Sequence, residues 1–215
     1  MATLPVADAA ALLDAGVPRE FNPGDVLVHE GEHTDHVLLV LFGYAKVTAG
    51  DVDGGVALLA IRGSGDLIGE LAALDGEPRS ATVVAVNRVR AAVISRGRFH
   101  DFLLRHPVAA EAVTRSVAAK LRWANRRRVD FSGCTVKVRI ARVLLDLAAN
   151  FGRPTSDGVH IAVPLTQPEL AALVGAAEPT VHKVLADLRK RALVRTGYRA
   201  VTVLEHTALR ALAGP

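Results

Sequence analysis

The sequence predicts an α+β chain: an antiparallel β-roll, then one long helix, then a helix–turn–helix with a β-hairpin. Three observations predict it. Between Pro18 and Ile94, short β-branched runs alternate with Gly-rich turns, the pattern of an antiparallel barrel or roll. From Val108 to about Phe131 there is no Gly or Pro, and apolar residues recur every three or four positions, the pattern of a long helix. Near the C-terminus a capped short helix, a Gly turn and a second helix follow one another.

Composition bounds the answer. At 215 residues the chain holds two modest domains or one large one. Hydrophobic residues make up 50% and aromatic residues 4%, so the cores are aliphatic and the chain is globular. No apolar run reaches membrane-spanning length. Met1 to Val6 lacks a basic start and a long apolar run, so no signal peptide and a cytoplasmic location are expected. One cysteine, Cys134, excludes an intramolecular disulfide and any thiolate-built zinc or iron–sulfur site. It reads as a small buried residue at a helix start. Residues 1–100 carry 8 Lys+Arg against 13 Asp+Glu, net −5, whereas 101–215 carry 18 against 9, net +9. An acidic half joined to a basic half points the second half toward nucleic acid. A merely solvated basic face gives the same count.

In order, residues 4 to 17 read as a weak helix ending at Gly16. Turns at Asn22-Pro23-Gly24-Asp25, Glu30-Gly31-Glu32, Gly54-Gly55 and Gly63-Ser64-Gly65-Asp66 then separate Val26-Leu27-Val28, His36 to Leu41, Ala45-Lys46-Val47 and Val56 to Ile61. His29-Glu30-Gly31-Glu32-His33 fits H-E-x-x-H. That motif holds zinc only on one helix face. Here it follows a strand and contains a turn Gly, so no metal site is assigned.

The stretch Gly69 to Ala81 organises the roll. Gly69 permits a close backbone approach or a positive φ. Glu70-Leu71-Ala72-Ala73-Leu74 reads as one or two helical turns closed by Gly76. Pro78 and Arg79-Ser80-Ala81 lead into Thr82 to Val86. A short helix facing an Arg and a Ser suits an anion. A carboxylate there repels phosphate, so Glu70 suits a sugar hydroxyl. Phosphate plus ribose is a nucleotide. The plain alternative is a connection braced by a Glu70–Arg79 salt bridge.

Gly69-Glu70-Leu71, with Pro78-Arg79-Ser80-Ala81 downstream, resembles the phosphate-binding cassette of the cAMP receptor protein/FNR (Crp/Fnr) family of bacterial transcription regulators. The resemblance implies that Arg79 and Ser80 hold a cyclic phosphate and Glu70 the ribose 2′-OH. Gly69, Leu71 and Ala81 complete that ligand-binding stretch. The β-strand pattern is then similar to the family's jelly-roll, cyclic-nucleotide-binding sensor domain.

After Ile94 the pattern turns helical. Phe99, Phe102 and Leu103 mark one short helix, and Pro107 opens the next. Ala110, Val113, Val117, Leu121, Ala124, Arg128 and Phe131 form a coiled-coil-like seam, which suits a parallel C2 dimer with a second copy. Packing on the roll is the other use of such a stripe. Arg126-Arg127-Arg128 is a basic cluster, and Gly133 suits a hinge. In cAMP-binding relatives a Thr-Ser pair on this helix holds the adenine. Counted without gaps from Arg79-Ser80-Ala81, those positions are Ala124 and Asn125. Ala124 cannot hydrogen-bond through its side chain, whereas Asn125 both donates and accepts. The base-reading contacts are altered while the phosphate and ribose contacts stand, so cAMP remains the first-choice effector, with cGMP, another cyclic nucleotide or a pocket that no longer discriminates also open.

A second helix spans Thr135 to Asn150, and Val159 to Val163 reads as a strand. Thr166-Gln167-Pro168-Glu169 is a capping box, with Leu165 and Leu170 as the hydrophobic staple. Gly175 closes the first helix of the motif. In the second, Val181, Val184, Leu185 and Leu188 face inward, which makes a helix–turn–helix. Thr196-Gly197-Tyr198-Arg199 tops a hairpin wing with Arg195 and Arg199 at its shoulders. Thr166, Gln167, Glu178, Pro179, Thr180, His182, Lys183, Lys190, Arg195 and Arg199 are the expected DNA-facing residues, with Arg191 alongside. The family usually presents Arg-Glu near the helix start and Arg one turn later. Glu178, Pro179 and Lys183 depart from that pattern, and Lys reads guanine less well than Arg.

The resulting division is 1–107 sensor roll, 108–133 dimerisation helix and hinge, and 134–215 winged helix–turn–helix. The function implied is that of a homodimeric, cyclic-nucleotide-responsive regulator of transcription. Its implied partners are a pseudo-palindromic double-stranded operator and RNA polymerase, with no membrane. Three alternatives stand beside it: a ligand-independent DNA-binding protein with a vestigial pocket, a haem- or gas-sensing relative, and a roll-fold metal-dependent enzyme using His29, His33 and His36. No nucleophile–base pair or acid–base carboxylate couple points to catalysis, so no catalytic residue is assigned.

Overall fold

The computed structural model describes residues 6–50 and 56–214, with Val6 and Ala7 as backbone only. Leu4 and the Gly54-Gly55 turn lie outside the described residues. The chain divides into two compact units, Met1–Ala124 and Asn125–Pro215.

The first unit runs α1 (Val6–Asp14), β1 (Val17–Phe21), β2 (Val26–Val28), β3 (Val37–Phe42), β4 (Ala45–Gly50), β5 (Val56–Arg62), β6 (Leu67–Ile68), α2 (Glu70–Asp75), β7 (Thr82–Ala85), β8 (Val89–Ile94), α3 (Arg96–Arg105) and the start of α4 (Pro107–Gly133). The strands form two antiparallel sheets, in the orders β1-β8-β3-β6 and β2-β7-β4-β5. β3 shows why its sequence lacks polar alternation. Val37 and Leu39 pack in a cluster with Leu12, Phe99, Phe102 and Val113, whereas Leu38 and Val40 join Phe21, Val83 and Val89. Successive side chains of a strand point to opposite faces. A strand covered on both faces must be apolar throughout. The turns fall where glycine allows positive φ, as at Gly43 (φ 92). A Cβ there would also lie 2.3 Å from the Arg88 carbonyl oxygen.

On α4, Ala109, Ala112 and Val113 are buried, while Leu121 (61% exposed), Val129 (66%) and Phe131 (46%) are not. Of the seam residues Ala110, Val113, Val117, Leu121, Ala124, Arg128 and Phe131, only Val113 is buried. The expectation of a buried Cys134 is corrected: it is half-buried in the bend after α4, its Sγ 3.9 Å from Asp130 Oδ1.

The second unit continues with α5 (Val136–Phe151), β9 (Gly152–Thr155), β10 (Gly158–Ile161), α6 (Gln167–Val174), α7 (Glu178–Lys190), β11 (Val194–Gly197), β12 (Ala200–Val203) and α8 (His206–Ala213). Its sheet order is β11-β12-β10-β9. Ile140, Leu144, Leu173, Leu188 and Leu209 are among its fully buried side chains. The reciprocal cap of α6 is formed: Glu169 N donates to Thr166 Oγ1 at 3.3 Å, and Thr166 N to Glu169 Oε2 at 2.8 Å. Gly175 follows at φ 58, and a Cβ on it would fall 1.6 Å from the Phe131 ring. Steric room and backbone conformation therefore both demand glycine in this turn.

Thr166→Ala and Glu169→Ala should each lower the stability of the second unit by about 1 kcal/mol. Because the two side chains cap one helix end together, the double variant should lose less than the sum in chemical denaturation.

Candidate functional site

The cassette is built around a buried guanidinium. β6 pairs with β3 (Leu38↔Ile68, Leu39↔Leu67) and delivers the chain to Gly69. Gly69, at φ 80 and ψ 10, turns it into α2. Arg79 is 3% exposed. Its Nη1 donates to the Gly69 carbonyl at 2.8 Å, its Nη2 to the His36 carbonyl at 2.6 Å, and its Nε to Thr34 Oγ1 at 3.0 Å. A guanidinium has five N–H donors, and protein oxygens take three. A Cβ on Gly69 would lie 2.2 Å from Arg79 Nη1, so glycine is required by contact as well as by conformation. The main chain of Arg79 is clamped too: its N donates to the Glu32 carbonyl at 2.9 Å, and Gly31 N donates to its carbonyl at 2.8 Å. Burial lowers the pKa of Arg79, opposed by Asp35, Glu32 and Glu70. Burial, then Arg79, lowers that of His36.

The salt bridge that would have given Glu70 and Arg79 a purely structural role is not formed. Glu70, 5% exposed, accepts from Lys120 Nζ at 2.7 Å through Oε1. Lys120 Nζ also donates to the Leu67 carbonyl at 2.9 Å. Burial lowers the Lys120 pKa, and Glu70 pushes it back up. A carboxylate this deep needs such a partner. Around this centre, Ala81 is buried, and Leu71 and Ser80 are exposed. Ala124 and Asn125 lie exposed on α4, beyond Lys120. His29 and His33 lie outside any helix, and among the described residues no cluster of three or more His, Cys, Asp or Glu could hold a metal ion.

In the second unit, α6, Gly175 and α7 make the helix–turn–helix, and β11 and β12 make the wing. Glu178, Pro179, Thr180, His182, Lys183 and Lys190 are exposed along α7, and Thr166 and Gln167 are half-buried at the start of α6. Pro179 lies in the first turn of α7, where a missing N–H costs nothing. His182 Nε2 lies 3.3 Å from Glu178 Oε1. Arg189 Nη1 donates to Thr196 Oγ1 at 3.2 Å, tying α7 to the wing. Arg195 is exposed but paired with Asp157 at 2.9 Å. Arg199 sits at the wing tip with φ 50 and is half-buried.

Residues 18–106 match the family model described as the cyclic nucleotide-binding domain, and residues 138–212 match the Crp-like helix-turn-helix domain. The chain belongs to the Crp/Fnr family of transcription regulators. Among curated relatives, it is 32% identical over 200 residues to a CRP-like cAMP-activated global transcriptional regulator of Mycobacterium tuberculosis, covering 93% of this chain and 89% of that one. It is 28% identical over 179 residues to the cAMP-activated global transcriptional regulator CRP of Salmonella typhimurium, covering 82% and 84%. Among solved structures, a CRP-family transcriptional regulator of Thermus thermophilus superposes with a TM-score of 0.75 at 27% identity, covering 92% of this chain and 97% of that one. FixK2 of Bradyrhizobium japonicum, at 18% identity, shares the fold with a TM-score of 0.81, covering 93% and 98%. As a Crp/Fnr protein, the chain is a DNA-binding transcription regulator with a cyclic-nucleotide-binding domain, not an enzyme. Among its described residues, no helix is long and apolar enough to cross a membrane.

Three residues of the cassette escape a motif-based reading: Thr34, His36 and Lys120. Thr34 and His36 lie more than forty residues before Arg79, and only tertiary structure brings them together. Lys120 leaves one trace, a lone basic residue within Val117-Ala118-Ala119-Lys120-Leu121. Lys120→Met strands the Glu70 carboxylate and should destabilise the first unit by about 3 kcal/mol. Adding Glu70→Leu should recover much of that loss in thermal unfolding, because an apolar pair replaces the stranded charge.

Proposed function

We propose that the protein is a homodimeric, cytoplasmic regulator whose DNA binding responds to a cyclic nucleotide, with cAMP the preferred effector. The observation that carries this reading is the Arg79 guanidinium, buried and fixed against Gly69 by protein carbonyls. In the proposal, its remaining N–H donors and Ser80 bind one singly charged phosphodiester. Lys120 holds Glu70 by Oε1, and the other carboxylate oxygen accepts from a ribose hydroxyl. Gly69, Leu71 and Ala81 shape the stretch around them. The curated relatives named as cAMP-activated support cAMP. Ala124 and Asn125, at the base-reading positions, make cGMP its competitor.

A second copy would cover the exposed apolar residues of α4, such as Leu121. The working division is 1–107 sensor, 108–133 dimerisation helix and 134–215 DNA-binding domain. The dimer would then bind a pseudo-palindromic operator with half-sites about one helical turn apart, and RNA polymerase is the further partner. Glu178, Pro179, Thr180, His182 and Lys183 would face the groove, with Thr166, Gln167, Lys190, Arg195 and Arg199 on the backbone. Ligand shifts such a dimer only through different affinity for its two arrangements.

The same guanidinium supports one rival. Three of its donors are already satisfied within the protein, as a ligand-independent regulator would have them. Calorimetric titration decides between the two. The proposal expects heat with cAMP on the wild type, and at least about tenfold weaker binding by Arg79→Leu, which loses a charge-assisted contact. No heat from cAMP or cGMP at millimolar concentration establishes the ligand-independent reading. For DNA, Lys190→Ala, which removes a backbone contact, should weaken binding and reduce the slope of log affinity against log salt by about 1.

A further inference from the structure

The second unit contains a cleft of about 390 Å³ between the wing and the helix–turn–helix. That volume lies within the range of small-molecule sites, about 300–1,000 Å³. Its floor is aliphatic, formed by Leu147, Ile161 and Leu185, and its rim carries Glu178, His182 and Arg199. An apolar floor with a few polar groups at the rim is the usual composition of a ligand site.

The charges at the rim are not equivalent. Glu178 is engaged by His182 at 3.3 Å. Arg199 makes no ion pair among the described residues, and its Nε is buried without a hydrogen-bond partner. A buried donor with no acceptor is costly to maintain. Arg199 is held there by the wing turn, at φ 50. The cleft thus offers apolar surface below and one unneutralised guanidinium above.

We propose that this cleft binds a small amphipathic carboxylate: an aliphatic body of roughly drug-like size on the leucine floor, with its carboxylate on Arg199. The bound acid spans the wing and α7, the two elements that Arg189 and Thr196 already tie together. Where α7 faces DNA, a consequence that rests on the reading in the preceding subsection, the acid competes with the operator.

The test uses the full chain with octanoate, octan-1-ol and octylamine as probes in calorimetry, with no DNA or cyclic nucleotide present. The expected result is a single site for octanoate and at least about tenfold weaker binding of octylamine. Ala200, on the cleft wall, provides a filling variant. Ala200→Phe should abolish octanoate binding while keeping the wild-type circular dichroism spectrum. Arg199→Gln should erase the preference for octanoate over octan-1-ol, which keeps the test decisive if the filling variant does not fold. Equal binding of octanoate and octylamine, unchanged octanoate binding by folded Ala200→Phe, or no heat at millimolar octanoate overturns the proposal. Octanoate binding without any effect on operator affinity overturns only the DNA-facing reading of α7.

Discussion

A buried arginine must find acceptors inside the protein, and the first unit is arranged to supply them. Taking a guanidinium out of water is costly unless its N–H groups are matched. Arg79 is matched by the carbonyls of Gly69 and His36 and the hydroxyl of Thr34. Its own main chain joins Gly31 and Glu32. The loop before β3, the start of α2 and the approach to β7 are therefore fixed at one point. From there the chain of contacts runs outward. α2 places Glu70 in the interior, Glu70 draws in Lys120, and Lys120 is a residue of α4. A short run of charges thus links the roll to the long helix by specific atoms rather than by apolar area alone.

Much of this was legible in the sequence, because local rules and the fold agree. Gly69, Gly76 and Gly175 stand where the backbone needs positive φ. Thr166 and Glu169 cap α6 as their spacing predicts, and the apolar run of β3 reads as a strand. What escaped depends on distant pairing. The partner of Glu70 is Lys120, the single lysine of α4, which lies fifty residues away, and no local pattern links the two. β9 is hard to find in the sequence because Gly and Pro just past a helical run usually mark its stop, yet Gly152 and Pro154 lie on an outer strand paired with β10. Proline is tolerated in such an edge strand. The triple arginine 126–128 reads in the sequence only as a basic cluster, a solvated face or a coupling element, with its three members alike. Instead Arg127 is half-buried, and burial lowers its pKa to about 10 despite Asp146 and Asp130 nearby.

The second unit uses charge differently. Several of its pairs lie at the surface, Lys137 with Asp187, Arg195 with Asp157 and His182 with Glu178, while Arg142 and Asp130 form a part-buried one. Exposed pairs contribute little to stability. They matter for which cations remain available. Arg195 is already paired, Lys183 is exposed, and Arg199 is held by the wing turn. A count of basic residues alone would have treated these three as equivalent.

The strand registers carry one more consequence, for the order in which a new chain matures. β1 and β3 both take β8 as a neighbour, Val17 meeting Val93 and Val37 meeting Ile94. That sheet cannot close until the ribosome has released everything through residue 94. In the second unit, β9 meets β10 and β11 meets β12 across tight turns, and a longer-range pairing of Val159 with Val203 joins the two hairpins. Non-local pairing slows folding, and local pairing speeds it. The amino-terminal sheet should therefore spend longer with open edges during synthesis than either carboxy-terminal hairpin, each of which closes soon after its own turn emerges.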